Sequence, residues 1–232
     1  MIYVMSDIHG MYDKYRKMLE MINFNDNDTL YVLGDVIDRG GGSIKILQDM
    51  MVRNNVYGLI GNHELMAVEC LKWLATEITE ASINELDEEK LVKLSDWLNN
   101  GAYQTIQEFQ TLPRTKQQDI IDYLMEFVAY EEVFINDKYY LLVHAGIDGG
   151  NLGKSLDDYD IDDFVWNRPD LEIPYFNDDR HFMIIGHTPT ELLAGKAEII
   201  HQNNYIAIDC GACFKGGKLA CLCLNTMEEF YV

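Results

Sequence analysis

Long apolar runs, basic residues and proline are all scarce in this sequence, and each scarcity excludes something. No segment reaches the 18 or more apolar residues that a bilayer-spanning helix needs, and the opening MIYVMSDIHG lacks the basic and then apolar pattern of a secretion signal. The chain is therefore expected to be soluble and cytoplasmic. Only 18 Lys and Arg stand against 39 Asp and Glu, a formal charge of -21. Such a chain repels a phosphate backbone instead of releasing its counterions, so neither nucleic acid nor anionic membrane is an expected partner. With 4 prolines, no low-complexity tract and 48% hydrophobic residues, the chain has the means to bury a core. A length of 232 residues suits one domain, and no linker divides it, so residues 1–232 are read as a single unit. Oligomeric state leaves no mark.

The five cysteines are odd in number and accompany no secretory signal, which points to reduced thiols. Cys210, Cys213, Cys221 and Cys223 have a spacing that suggests zinc. Cys221 and Cys223, however, alternate within the apolar run Leu219 to Leu224, as residues on one face of a strand do, and packed thiols are the better reading.

What the chain does contain is a repeated pattern of apolar run, polar turn and helical stretch, the mark of βα units and a largely open sheet. Ile2 to Met5 leads through SDIHG into a helix whose Tyr15, Met18, Leu19 and Ile22 share one face. Leu30 to Leu33 leads through GDVIDRGGG into Ser43 to Met51, and Val56 to Ile60 through GNHE into a helix near Leu65. Residues 65 to 130 carry helical patterns and acidic stretches such as NELDEEK, with Trp73 and Trp97, and read as a helical insertion over one end of the sheet. Strands return as Tyr139 to Val143 before HAG, Phe182 to Ile185 before GHT, and Tyr205 to Ile208 before DCG. Leu219 to Leu224 closes the sheet without a polar turn.

Open α/β sheets place their ligands beyond the carboxyl ends of strands, where these turns sit. A lone Asp or His in a loop is usually a cap or a solvated group, but five turns at equivalent strand ends hold His9, His63, His144 and His187, four of the six histidines. Divalent ions favour carboxylate oxygen and neutral imidazole, and a two-metal centre needs about six such ligands with one group able to bridge. Asp7 and His9 can address one ion, with Asp35 as the bridging carboxylate; Asn62, His144 and His187 can complete the second. The carboxamide adds an oxygen donor without adding charge.

DIHG, GDVIDRG, GNHE, HAG and GHT, in this order over residues 7 to 188, resemble the metallophosphoesterase superfamily. GDVIDRG with GNHE, together with Trp166-Asn167-Arg168, resembles the phosphoprotein phosphatase family, especially its small bacterial and phage branch. The resemblance implies an α/β calcineurin-like metallophosphoesterase fold, with central β-sheets flanked by helices in four layers (αββα) and a helical insertion at about 65–130. It also implies two divalent metal ions, manganese first, with iron or zinc as other choices. Asp7, His9 and Asp35 would hold one ion, and Asp35, Asn62, His144 and His187 the other. His63 would be the general acid, oriented by Asp38, while Arg39 and Arg168, with Asn62 and His63, would bind the phosphoryl oxygens. The activity implied is a serine/threonine or dual-specificity protein phosphatase acting on a phosphoprotein or phosphopeptide, with a metal-bridging hydroxide attacking in line. A bis(5'-nucleosyl)-tetraphosphatase is the alternative, placed second because Asp38 is present.

Other readings fit less well. HELMA lacks the second histidine of HExxH. DDYDIDDF has alternating acids, but a calcium loop starting there would carry Asp163 in place of glycine and Pro169 in place of its final glutamate, so a solvated acidic turn is expected. Gly40, Gly41 and Gly42 are followed by no GK[ST] and serve a sharp turn beside Arg39. A catalytically inert scaffold would not need the full ligand set, the acid and both arginines. Ser6 stands where the family usually has glycine, and removes no ligand.

Overall fold

The computed structural model describes residues 1–76, 87–148 and 154–232, so part of the acidic stretch NELDEEK lies outside the described residues. Two five-stranded sheets stack face to face. The first runs β10-β9-β1-β2-β3, with β1 Ile2–Met5, β2 Thr29–Val32, β3 Val56–Gly58, β9 Ala220–Cys223 and β10 Glu229–Tyr231. Parallel pairing of β1, β2 and β3 follows from the helices between them: α1 Tyr12–Met21 and α2 Ser43–Met51. The second runs β4-β5-β6-β8-β7, with β4 Tyr130–Ile135, β5 Lys138–Val143, β6 His181–Ile185, β7 Ile200–Gln202 and β8 Tyr205–Ala207.

Strand alternation explains the stacking. Val4 of β1 and Leu222 of β9 turn inward to meet Tyr140, Leu142, Ile184 and Ile206 of the second sheet. Tyr3, Met5, Cys221 and Cys223 turn outward to Tyr15, Met18 and Leu47 of the helices. The far face of the second sheet packs Leu141, Val143 and Met183 on Phe164 and Val165 of α7 Ile161–Trp166. These are four layers of helix, sheet, sheet and helix, as the resemblance implied. The paired thiols on the helix side of β9 are as the alternation predicted.

The helical stretch expected over one end of the sheet reaches the turn that follows β2, where Trp97 and Thr105 contact Asp38. Among the described residues it includes α4 Glu88–Asn99, α5 Tyr103–Gln110 and α6 Arg114–Met125. They pack on α2 and on α3 Asn62–Leu74, burying Trp97, Phe109, Ile120 and Leu124 in the outer core. Three corrections concern local structure. Strands β4, β7 and β10 were not anticipated; they lie at sheet edges, where one-sided exposure dilutes the apolar pattern. GNHE is not a turn, because Asn62, His63 and Glu64 form the first turn of α3. The acidic stretch at 157–164 includes the start of α7, where Asp160 donates its backbone N–H to Asp163 Oδ2 at 3.0 Å. No helix among the described residues is long and apolar enough to cross a membrane. The helix α8 Thr190–Ala194 follows GHT.

Candidate metal centre

The polar turns converge because the chain bends sharply as it leaves each strand. Asp7, His9, Asp35, Asp38, Arg39 and His187 all have positive φ, between 47° and 73°. Left-handed backbone at a non-glycine residue costs on the order of 1 kcal/mol or more, and persists where surrounding contacts enforce it. Glycines make the approach tight enough. A Cβ on Gly61 would lie 2.3 Å from Asp35 Oδ1, and one on Gly186 would lie 1.9 Å from Ser6 Oγ and 2.2 Å from Asp7 Oδ2.

Asp35 sits at the centre of the cluster, 2% exposed. Its two oxygens face different neighbours: Oδ2 lies 3.5 Å from His9 Nε2, and Oδ1 lies 3.4 Å from His144 Nε2. Around Oδ1, His144 Nε2 and His187 Nδ1 each lie 3.0 Å from Asn62 Oδ1. Around Oδ2, Asp7 Oδ1 lies 4.0 Å from His9 Nε2, while Asp7 Oδ2 accepts the Ser6 hydroxyl and the His187 backbone N–H, the latter at 3.0 Å. The serine that departs from the family pattern thus holds the first carboxylate in place.

Imidazole tautomers follow from the backbone. His9 Nδ1 donates to the Ile37 carbonyl at 3.0 Å and His144 Nδ1 to the Leu33 carbonyl at 2.6 Å, which leaves both Nε2 lone pairs aimed at Asp35. Burial pushes His9 and His187 down to about 3 and also lowers His144, so all three are neutral near pH 7, the form a metal ligand must have. Burial would raise the Asp35 pKa, but the histidines around it outweigh burial and hold it below its ordinary value. Asp7 is raised well above the usual carboxylate range by burial, then by Asp209 and Asp35. So many buried acceptors, together with His187 Nε2 buried without a partner, form a donor set that fits bound cations.

Within 4.8 Å of one another lie two trios, Asp35 with His144 and His187, and His9 with Asp35 and His63. The second contains His63 where the sequence suggested Asp7. His63 differs from its neighbours, however. Its Nδ1 donates to Asp38 Oδ2 at 2.6 Å, and its Nε2 lies 3.2 Å from Arg39 Nη2. Burial would lower its pKa, but Asp35 and then Asp38 outweigh this and raise it. Both ring nitrogens of His63 are already engaged, Nδ1 by Asp38 and Nε2 by Arg39, so Asp7 remains the better third donor beside His9.

The arginines frame the cluster. Arg39 stacks over the Phe214 ring with 5.4 Å to the centroid, and Arg168 Nη1 donates to Thr188 Oγ1 at 3.3 Å, beside His187. The structure thus brings Asp7, His9, Asp35, Asp38, Asn62, His63, His144 and His187 into one connected cluster, with Arg39 against His63 and Arg168 against Thr188. Two buried acids were missed. Asp209 follows β8 at the same kind of strand end as the others, so DCG carried the signal; burial, with Asp35 nearby, pushes its carboxyl up to about 7. Glu64 was considered only as part of a zinc motif. Its Oε2 accepts Asp35 N–H at 2.7 Å and Gly61 N–H at 3.0 Å, and its Oε1 accepts Val36 N–H at 2.8 Å and Ile37 N–H at 3.3 Å.

Known proteins resemble this chain in sequence and in fold. Serine/threonine-protein phosphatase 2 of Salmonella typhimurium is 28% identical over 176 residues, 73% of this chain and 69% of that protein. A symmetrical bis(5'-nucleosyl)-tetraphosphatase of Wigglesworthia glossinidia brevipalpis is 42% identical over 65 residues, 27% of this chain and 24% of its own length, so the chain spans about a quarter of that relative. A solved structure provisionally described as a diadenosine tetraphosphatase has a TM-score of 0.68 over 100% of this chain and 92% of its own at 16% identity, a likeness of fold. The relatives' names lean toward dinucleotide tetraphosphatases, the activity placed second in the sequence reading. The model of calcineurin-like phosphoesterases matches residues 1–218, and the chain belongs to that family.

Proposed function

We propose that this protein hydrolyses phosphomonoesters at a centre of two divalent ions, using Asp7, His9 and Asp35 for one ion and Asp35, Asn62, His144 and His187 for the other. The two oxygens of Asp35, each directed at a separate set of imidazoles, carry this reading. When bound, such ions polarise phosphoryl oxygens and supply a nucleophile at neutral pH. The chain's own groups do the rest. Arg39 and Arg168 offer planar donor forks to phosphoryl oxygens, Asn62 and His63 face the same space, and His63 hands its Nε2 proton to the departing oxygen.

The His63–Asp38 pair supports an alkoxide leaving group. A serine or threonine alkoxide is a strong base and gains about 10²- to 10⁴-fold from protonation, whereas a departing nucleotide phosphate is a weak base and gains less. On this ground a phosphoprotein or phosphopeptide is the first substrate class. Dinucleoside polyphosphate is the second reading, favoured by the names of the relatives. The deciding experiment assays phosphoserine, phosphothreonine and phosphotyrosine peptides beside diadenosine tetraphosphate, with manganese, iron and zinc in turn. A higher kcat/KM for phosphopeptides is expected; a large preference for the dinucleotide overturns the substrate class, and inertness toward all of them overturns the hydrolase reading.

A further inference from the structure

One carboxylate oxygen beside the candidate centre has two donors from distant parts of the chain. Asp38 Oδ2 accepts His63 Nδ1–H at 2.6 Å and also the Trp97 indole N–H at 2.7 Å. Asp38 Oδ1 accepts the Thr105 hydroxyl at 2.7 Å, and the Asp38 backbone N–H donates to Thr105 Oγ1 and Ser43 Oγ, each at 3.0 Å. The next residue is held by the same segment: Arg39 N–H donates to the Gly101 carbonyl at 2.9 Å, and a Cβ on Gly101 would lie 2.9 Å from Arg39 Cγ. Trp97 and Asp38 are both fully buried. Trp97, Gly101 and Thr105 all belong to the helical insertion.

From this clamp we infer that Trp97 and Thr105 are positioning residues for proton delivery, acting through Asp38 on His63; the inference rests on the phosphomonoester reading above. A carboxylate with one donor can turn about its Cβ–Cγ bond, and the imidazole it holds turns with it. Here the indole fixes Oδ2 and the threonine fixes Oδ1, leaving one orientation in which Oδ2 meets Nδ1. That orientation aims His63 Nε2 toward Arg39 and Asp35, where a leaving oxygen must be met. The insertion then completes the active site in addition to covering a core, and catalytic geometry is divided between the sheet-end turns and helices that follow them in sequence.

Trp97→Phe removes the N–H and keeps most of the ring volume, and the leaving group separates positioning from packing. p-Nitrophenolate departs without needing a proton; a serine alkoxide does not. With manganese, kcat for a phosphoserine peptide should fall about 10-fold or more in Trp97→Phe, and kcat for p-nitrophenyl phosphate by less than about 3-fold. Thr105→Val should show the same selectivity, and Thr105→Ser should restore wild-type rates. Equal losses on both substrates, or none on either, overturn the inference while leaving the hydrolase reading intact. A wild type inert toward both substrates with every metal removes that reading and the inference together. A readout independent of activity is the indole proton of Trp97 in the metal-free protein, identified by its absence from Trp97→Phe. It should exchange slowly with solvent and shift in Asp38→Asn; fast exchange and an unmoved resonance overturn the inference.

Discussion

Glu64 accepts the backbone N–H of Asp35 at 2.7 Å, so the helix that presents Asn62 and His63 also fixes the turn that presents Asp35. Four buried N–H groups depend on this one side chain. Glu64→Ala should lower unfolding free energy by about 3 kcal/mol or more, since each orphaned donor costs on the order of 1 kcal/mol or above. Urea unfolding would measure it, and Glu64→Gln, which keeps one carbonyl oxygen, should fall between the variant and wild type.

His63 is separated from the ligand set by its partners, and its loss should reveal that. His63→Asn should reduce phosphopeptide hydrolysis by about 10²-fold or more while calorimetry still finds two bound ions. Full activity would remove the acid role; lost metal binding would return His63 to the ligands.

Asp35 faces both halves of the centre, and both should fail with it. Asp35→Ala should abolish hydrolysis and reduce manganese binding below two ions per chain by calorimetry. In the wild type, metal at 100 times its dissociation constant should stabilise the fold by about 2.7 kcal/mol, and a chelator should lower Tm accordingly. A Tm that does not respond to metal would argue against any bound ion.

Away from the centre, Asp49 Oδ2 accepts Arg53 Nε–H at 2.7 Å and the Tyr15 hydroxyl at 2.9 Å. Burial would raise the Asp49 pKa, but the Arg53 and Tyr15 hydrogen bonds outweigh it and hold it below its ordinary value. A carboxylate depressed by folding contributes stability above its unfolded pKa of about 3.9, and loses that contribution as pH falls through the lower folded value. Asp49→Asn should therefore be less stable than wild type at pH 7 and approach it at the acid end, as read by denaturant midpoints across pH.

The residues at the centre were legible because each interrupts an apolar run with a side chain that has no business in a core, and the interruptions share a place. Asp7, Asp35, His144 and His187 could be found in this way, and Asp209 could have been. Trp97 and Thr105 could not. They touch Asp38 across 59 and 67 positions, and in sequence each is only one more residue on the buried side of a helix. Glu64 was visible, but its function is to receive backbone N–H groups, which no side-chain pattern announces. Edge strands such as Glu229–Tyr231 stayed hidden because they are short, and pairing with β9 on one side only gives them their strand form.

The antiparallel pairing of Ala220–Cys223 with Ile2–Met5 has a consequence for the order in which the molecule can be made. The strand that delivers Asp7 and His9 lies between a neighbour near residue 30 and another beyond residue 219. During synthesis the first neighbour emerges from the ribosome early and the second only after more than two hundred residues have been joined. Contacts so distant along the chain form slowly, because a long loop must close before they return anything. The innermost strand of the first sheet thus keeps one edge unpaired until the segment beyond residue 219 has been made, and the centre that it supports cannot become whole before then.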